Sequence, residues 1–242
     1  MEFKSLEFTD SGNIWHYNAT NIEGWDVYIE QEISVDAKFM LAVFDRITKS
    51  LQHINKNVPK DRVAQINKFP IWVSNEPNYP DFRPEEKAQI PFHLSEEWLR
   101  ENRLNPFMAP GVHVINPYYI ISYTKHFEWQ PLVLLHELSH GLHMKVLTDL
   151  EKKLIDRAYE NADAKGLYRD IERRWVNTGK SRIDKVGYTI TSEQEYFSEL
   201  TEAFFGYNDI FPFSREELKD YDPQGYSMLE GIWLGKTSNN LY

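Results

Sequence analysis

The chain of 242 residues contains no cysteine. Disulfides, thiolate nucleophiles and cysteine-rich zinc sites are thereby excluded, and His, Asp and Glu remain as the strong metal ligands. Long apolar runs are missing too. Nothing approaches the roughly eighteen residues a membrane-spanning helix needs, and 41% apolar with 26% charged residues is an ordinary globular composition. Positive charge is in deficit, with a formal net charge of -10. That sign repels phosphate backbones, and no local basic patch reverses it, so nucleic acid is not an expected partner. Internal repeats, low-complexity tracts and Gly/Ser linkers are also lacking, so residues 1–242 are read as one domain. Met1 to Trp25 lacks the basic start and continuous apolar core of a secretory leader, which leaves the compartment open between the cytoplasm and secretion with a leader already removed.

What is present reads as mixed α and β in the first part. Trp25 to Glu30 alternates like a half-buried strand, and Ser34 is placed to cap a helix carrying Met40, Val43, Phe44, Ile47, Leu51 and Ile54, with Pro59 beyond its end. Strands are expected at Pro70 to Ser74 and from Val112 to Tyr123, separated by a loop containing Pro77, Pro80 and Pro84. From Glu128 the period becomes helical, with Leu132, Leu135, Leu138 and Leu142 in one stripe. Further helices are expected through Leu150, Leu154, Ala158 and Ala162 to a break near Gly166, and from Ser192 to Phe205, ending at Gly206. One or two more are expected between Ser214 and Leu234, around Pro223. The expectation is an α+β architecture: a strand-rich lobe over 1–146 with an N-terminal mixed sheet, ending in a central motif helix, and a helical lobe over 147–242.

The motif is Leu135-His136-Glu137-Leu138-Ser139-His140, an H-E-x-x-H pattern on a helix. Residues four apart share a helix face, so His136 and His140 can converge on one zinc ion while Glu137 reaches a water activated by it, as general base. The leucine stripe lies away from both histidines and leaves them facing a cleft. The bland alternative is a solvated polar face. His143 lies farther along the axis than a shared ion would sit, and reads as a surface residue or one lying behind the ligands.

A catalytic zinc needs three protein ligands and one open position. Metzincins place a Gly three residues and a His six residues after the second histidine, where this chain has His143 and Val146. The third ligand is therefore sought on a later helix. Glu195, Glu199 and Glu202 would share one face of the Ser192 to Phe205 helix, opposite Phe197, Leu200 and Phe204. Glu195 is assigned to the ion and Glu199 to a hydrogen bond from a ligating imidazole.

With these residues in hand, the chain resembles the gluzincin peptidases similar to the anthrax lethal factor catalytic domain and the clostridial Pro-Pro endopeptidases. In that group a tyrosine precedes the glutamate ligand by seven residues, within a segment like E-F-F-A-E-A-F. Here Tyr188 precedes Glu195-Tyr196-Phe197-Ser198-Glu199. The likeness covers roughly Pro131 to Gly206, and the segment from Asn208 to Tyr242 departs from it. It implies a zincin-like metallopeptidase fold, one zinc ion, and Tyr188 as a hydrogen-bond donor to the oxyanion or leaving group. The expected function is a zinc-dependent peptidase acting on a peptide or protein substrate extended against a sheet edge, drawn either from Val112 to Tyr123 or from Pro70 to Ser74. Alternatives are a non-peptidase zinc amidohydrolase and a catalytically inactive zincin-scaffold binding module.

Overall fold

A computed structural model describes residues 2–35, 37–76, 79, 90–115, 117, 132–175 and 179–236. Among them the chain is α+β, with a six-stranded mixed sheet, a two-stranded sheet and eight α-helices. The strands are β1 (Lys4–Asp10), β2 (Asn13–Ile22), β3 (Trp25–Glu30), β4 (Ile71–Ser74), β5 (Phe92–His93) and β6 (Gly111–Ile115), in the order β1-β2-β3-β4-β6-β5. Pairing is antiparallel through β3, parallel for β3 with β4 and β4 with β6, and antiparallel again where β5 closes the sheet on β6.

Two helices, α1 (Ala37–Asn57) and α2 (Lys60–Ile66), follow β3, and α3 (Glu96–Glu101) follows β5. Ser34 falls within a 3-10 turn, Gln31–Val35, ahead of α1. The motif helix is α4 (Val133–Gly141), continuing into a π-helical turn, Leu142–Val146. Then come α5 (Asp149–Ala164), strands β7 (Arg169–Trp175) and β8 (Lys180–Val186), α6 (Glu193–Phe205), α7 (Arg215–Tyr221) and α8 (Pro223–Leu234). The expected helices are found, but the second half is not purely helical, because the β7–β8 hairpin stands between α5 and α6. The proline-containing loop from Pro77 to Pro84 and the start of the motif helix from Glu128 to Pro131 fall largely outside the described residues, as does the segment from Tyr118 to Tyr123.

Alternation along the strands sends Val27, Ile29, Ile71, Val73, Val112 and Val114 to one face of the sheet. There they meet the buried stripe of α1, Val43, Ile47, Leu51 and Ile54, and Leu134, Leu135 and Leu138 of α4. Each fully buried leucine contributes roughly 2 kcal/mol, enough to fix which face α4 turns away from the core. At the end of α4, Gly141 lets the helix seat directly on β5, because a Cβ there would stand 2.6 Å from the Phe92 ring and 2.8 Å from Phe69. The sheet edge beside α4 is therefore β5. The alternative edge from Pro70 to Ser74 is thereby corrected, since β4 is interior, whereas β5 covers β6 only at Gly111 and Val112 and Tyr118 to Tyr123 lie outside the described residues.

The other face buries a polar chain under α3. His113 bonds Ser74 Oγ through Nε2 at 2.7 Å, Ser74 donates to Glu76 at 3.0 Å, and His93 Nε2 lies 3.0 Å from His113 Nδ1. These bonds are all satisfied with both rings neutral, when each Nε2 carries the proton. Burial holds His93 down at about 4, and it lowers His113 as well, with His93 adding to the effect. An unfolded histidine takes up its proton near pH 6.5, so between pH 6.5 and about 4 the unfolded chain holds the extra protons and folding weakens as pH falls. Glu76, pushed up by burial to about 7, gains its proton earlier in the folded chain and opposes part of this loss. Between pH 7 and pH 5, urea unfolding is expected to show the wild type losing about 2 kcal/mol more than His93→Gln. Equal losses would contradict the neutral-pair account.

Among the described residues no helix is long and apolar enough to cross a membrane.

Candidate metal centre

The centre forms where α4 packs against α6. Ser192 caps α6 by accepting the Glu195 N–H, which sets the helix start and places Glu195 in its first turn. Tyr188 stands in a short 3-10 turn, Tyr188–Ile190, between β8 and α6.

The imidazoles of His136 and His140 lie with centroids 4.9 Å apart. Glu195 Oε2 sits 3.1 Å from His136 Nε2 and 3.4 Å from His140 Nε2. His136, His140 and Glu195 thus form a group able to hold a metal ion, with ligand atoms all within 4.8 Å of one another. Tetrahedral zinc has bonds of about 2.0–2.1 Å to nitrogen and oxygen, which makes the edge of its polyhedron about 3.3 Å. The two separations match that edge, and the two-nitrogen, one-oxygen donor set suits the ion.

Each group is held from behind. His136 Nδ1 donates to Glu202 Oε1 at 2.8 Å, while Glu199 Oε1 is farther, at 3.8 Å. The acceptor role expected of Glu199 thus falls to Glu202, one turn later on the same face. His140 Nδ1 meets Ser198 Oγ at 3.3 Å. The outer oxygen of Glu195 accepts a hydrogen bond from the Tyr188 hydroxyl at 2.9 Å. Tyr188 remains 46% exposed, so the residue stands at an open side of the site.

The electrostatics follow from this packing. Burial alone would lower His136, but the Glu195 and Glu202 carboxylates hold it well above its ordinary value. Burial alone would raise Glu195, but its bonds to His136 and His140 hold it well below the usual carboxylate range. A cation between these groups would take the place of the shared proton. Glu137 is pushed up to about 7 by burial, with Glu195 adding to it and both histidines and the Phe92 backbone N–H opposing. Burial beside the Glu195 carboxylate raises Tyr188, so its phenol remains a donor.

His143 is buried rather than superficial, edge-on to Phe197 with ring centroids 5.7 Å apart. Burial lowers it to about 4, with His140 and Lys152 contributing. His143 lies in the π-helical turn, where its direction differs from that of a residue on a continuous α-helix. Ser198 and Glu202 were not assigned from sequence. Their only signal is helical spacing from Glu195, by three and seven residues, which marks a shared side but not the turn that faces each imidazole.

Comparison with known proteins identifies no relative: no family model matches the chain, and no curated protein or solved structure matches it significantly.

Proposed function

We propose that the protein is a zinc-dependent peptidase of the gluzincin type with a zincin-like fold, as its likeness to the lethal factor and Pro-Pro endopeptidase group implies. The observation that carries the reading is the position of Glu195 Oε2, 3.1 and 3.4 Å from the Nε2 atoms of two histidines one helical turn apart. His136, His140 and Glu195 would hold the ion. Bound there, zinc would supply Lewis acidity, acidifying a water and polarising a carbonyl.

The chain's own groups account for the rest. Glu137, beside the first ligand, takes the proton of the attacking water and passes it to the leaving amine. The Phe92 backbone N–H favours its ionised form, the form that accepts a proton. Tyr188 releases Glu195 and donates to the oxyanion, a contribution typically worth roughly 3 kcal/mol in the barrier. Glu202 and Ser198 fix the two imidazoles with Nε2 forward. An extended peptide along the outer edge of β5 would bring its carbonyl beside Glu137.

A peptide-library digest with zinc, and with a chelator added, tests the activity. Cleavage is expected with zinc and none with chelator. Bound zinc without cleavage would favour an amidohydrolase of small substrates, and cleavage that survives chelation would overturn the metal reading.

A further inference from the structure

Behind His136 the protein buries more carboxyl groups than three ligands require. Glu199, Glu202 and Asp209 are each no more than 3% exposed. Only Glu202 touches the imidazole closely. Asp209 arrives from the loop after α6, which is zipped to β7: Arg174 N–H donates to the Asp209 carbonyl at 2.7 Å and Phe211 N–H to the Glu172 carbonyl at 2.9 Å. Between those two bonds, Arg173 bridges to Ile210 and turns its guanidinium inward. Its Nε stands 3.6 Å from Asp209 Oδ2 and 3.4 Å from Asp184 Oδ2.

Carboxylates buried side by side repel, and removing them from water is costly unless a cation faces them. Arg173 is such a cation, carried in on the hairpin. Asp209 feels the charges of Glu202 and His136 as well as that of Arg173, so an electrostatic chain runs from the metal group through His136, Glu202 and Asp209 to Arg173. A divalent cation added in front of His136 is attracted by the carboxylates and repelled by the guanidinium, and salt screens buried charges little.

We propose that Arg173 and Asp209 form a buried counter-charge pair that sets how tightly the His136, His140 and Glu195 group holds a divalent cation, Asp209 strengthening the hold and Arg173 weakening it. The proposal rests on the metal reading above. It makes the hairpin part of the centre's electrostatics rather than a surface appendage. The pair is a tuner and touches no reacting atom.

The test measures zinc dissociation constants in chelator-buffered zinc near pH 8.5, where protons compete least, with melting temperatures of the metal-free and loaded forms. Asp209→Asn is expected to weaken zinc binding about tenfold. Arg173→Gln should tighten it several-fold while lowering the melting temperature of the metal-free chain, so that zinc raises that temperature by more than in the wild type. The double variant should return to within about threefold of the wild type, because the two charges removed oppose each other.

A purely structural role would shift both melting temperatures equally and leave affinity unchanged. Loosened geometry would make both single variants bind more weakly. Either result overturns the proposal while leaving the metal reading intact, whereas a wild-type chain that takes up no zinc overturns both. Should Arg173→Gln fail to fold, Asp184→Asn decides. Asp184 pairs with the same guanidinium from β8 and is more exposed to solvent than Asp209, so its loss should change zinc affinity much less than Asp209→Asn; equal effects would contradict the ordering.

Discussion

Glu137→Gln is expected to retain zinc with near-wild-type affinity and to lose about a thousandfold or more of its turnover. The substitution keeps the shape of the side chain, so the local packing between α4 and β5 has no reason to move. What disappears is the ability to take a proton. A general base commonly contributes 10² to 10⁴ in rate, and here one carboxylate serves both halves of the reaction, accepting from water and returning to the amine. Zinc content by mass spectrometry, beside turnover of whichever library peptide the wild type cleaves, separates the two effects. Turnover within tenfold of the wild type would remove Glu137 from the mechanism.

Glu195→Ala should fail at the earlier step. Its carboxylate is the point at which both Nε2 atoms converge, and neither Glu199 nor Glu202 is placed to replace it there, because both approach His136 from its Nδ1 side. Loss of a partner behind a ligand typically weakens metal binding about 10–100-fold, and loss of a ligand itself should exceed that. The dissociation constant is therefore expected to rise more than a hundredfold, with turnover restored only as far as zinc can be forced in. A variant that binds zinc as tightly as the wild type would move the third ligand elsewhere. The two substitutions thus separate chemistry from metal retention: one spares binding and loses rate, the other loses rate through binding.

Both residues were legible in the sequence, and the reason is geometric. A spacing of four on a helix fixes the relative direction of two side chains, so His136 and His140 could be paired without coordinates. Glu195 could be proposed because Ser192 and Gly206 bracket a helix with one acidic face. Which turn of that face lies opposite His136 Nδ1 depends on the axial offset of two packed helices, a tertiary quantity, so Glu199 was chosen where Glu202 makes the bond.

The strands missed in the sequence carry weak patterns. In β8 nearly every side chain is exposed, and Arg169 to Trp175 places only Ile171 in the core, so neither shows apolar alternation. Strands β1 and β2 are similarly solvated over most of their length. The buried His93 and His113 pair is invisible in sequence because β5 and β6 come together only through long-range pairing. Asp209 and Arg173 likewise meet only when the loop after α6 folds back on β7. Tyr188 was singled out solely through family resemblance; its bond to Glu195 gives it a physical place beside the metal group.

The most direct measurement is X-ray absorption at the zinc edge on the wild-type chain loaded with one equivalent of zinc. The account predicts four light-atom ligands at about 2.0–2.1 Å, two of them imidazoles, with one imidazole lost in His140→Ala. A chain that retains no zinc, or a spectrum with no imidazole scattering, would contradict it.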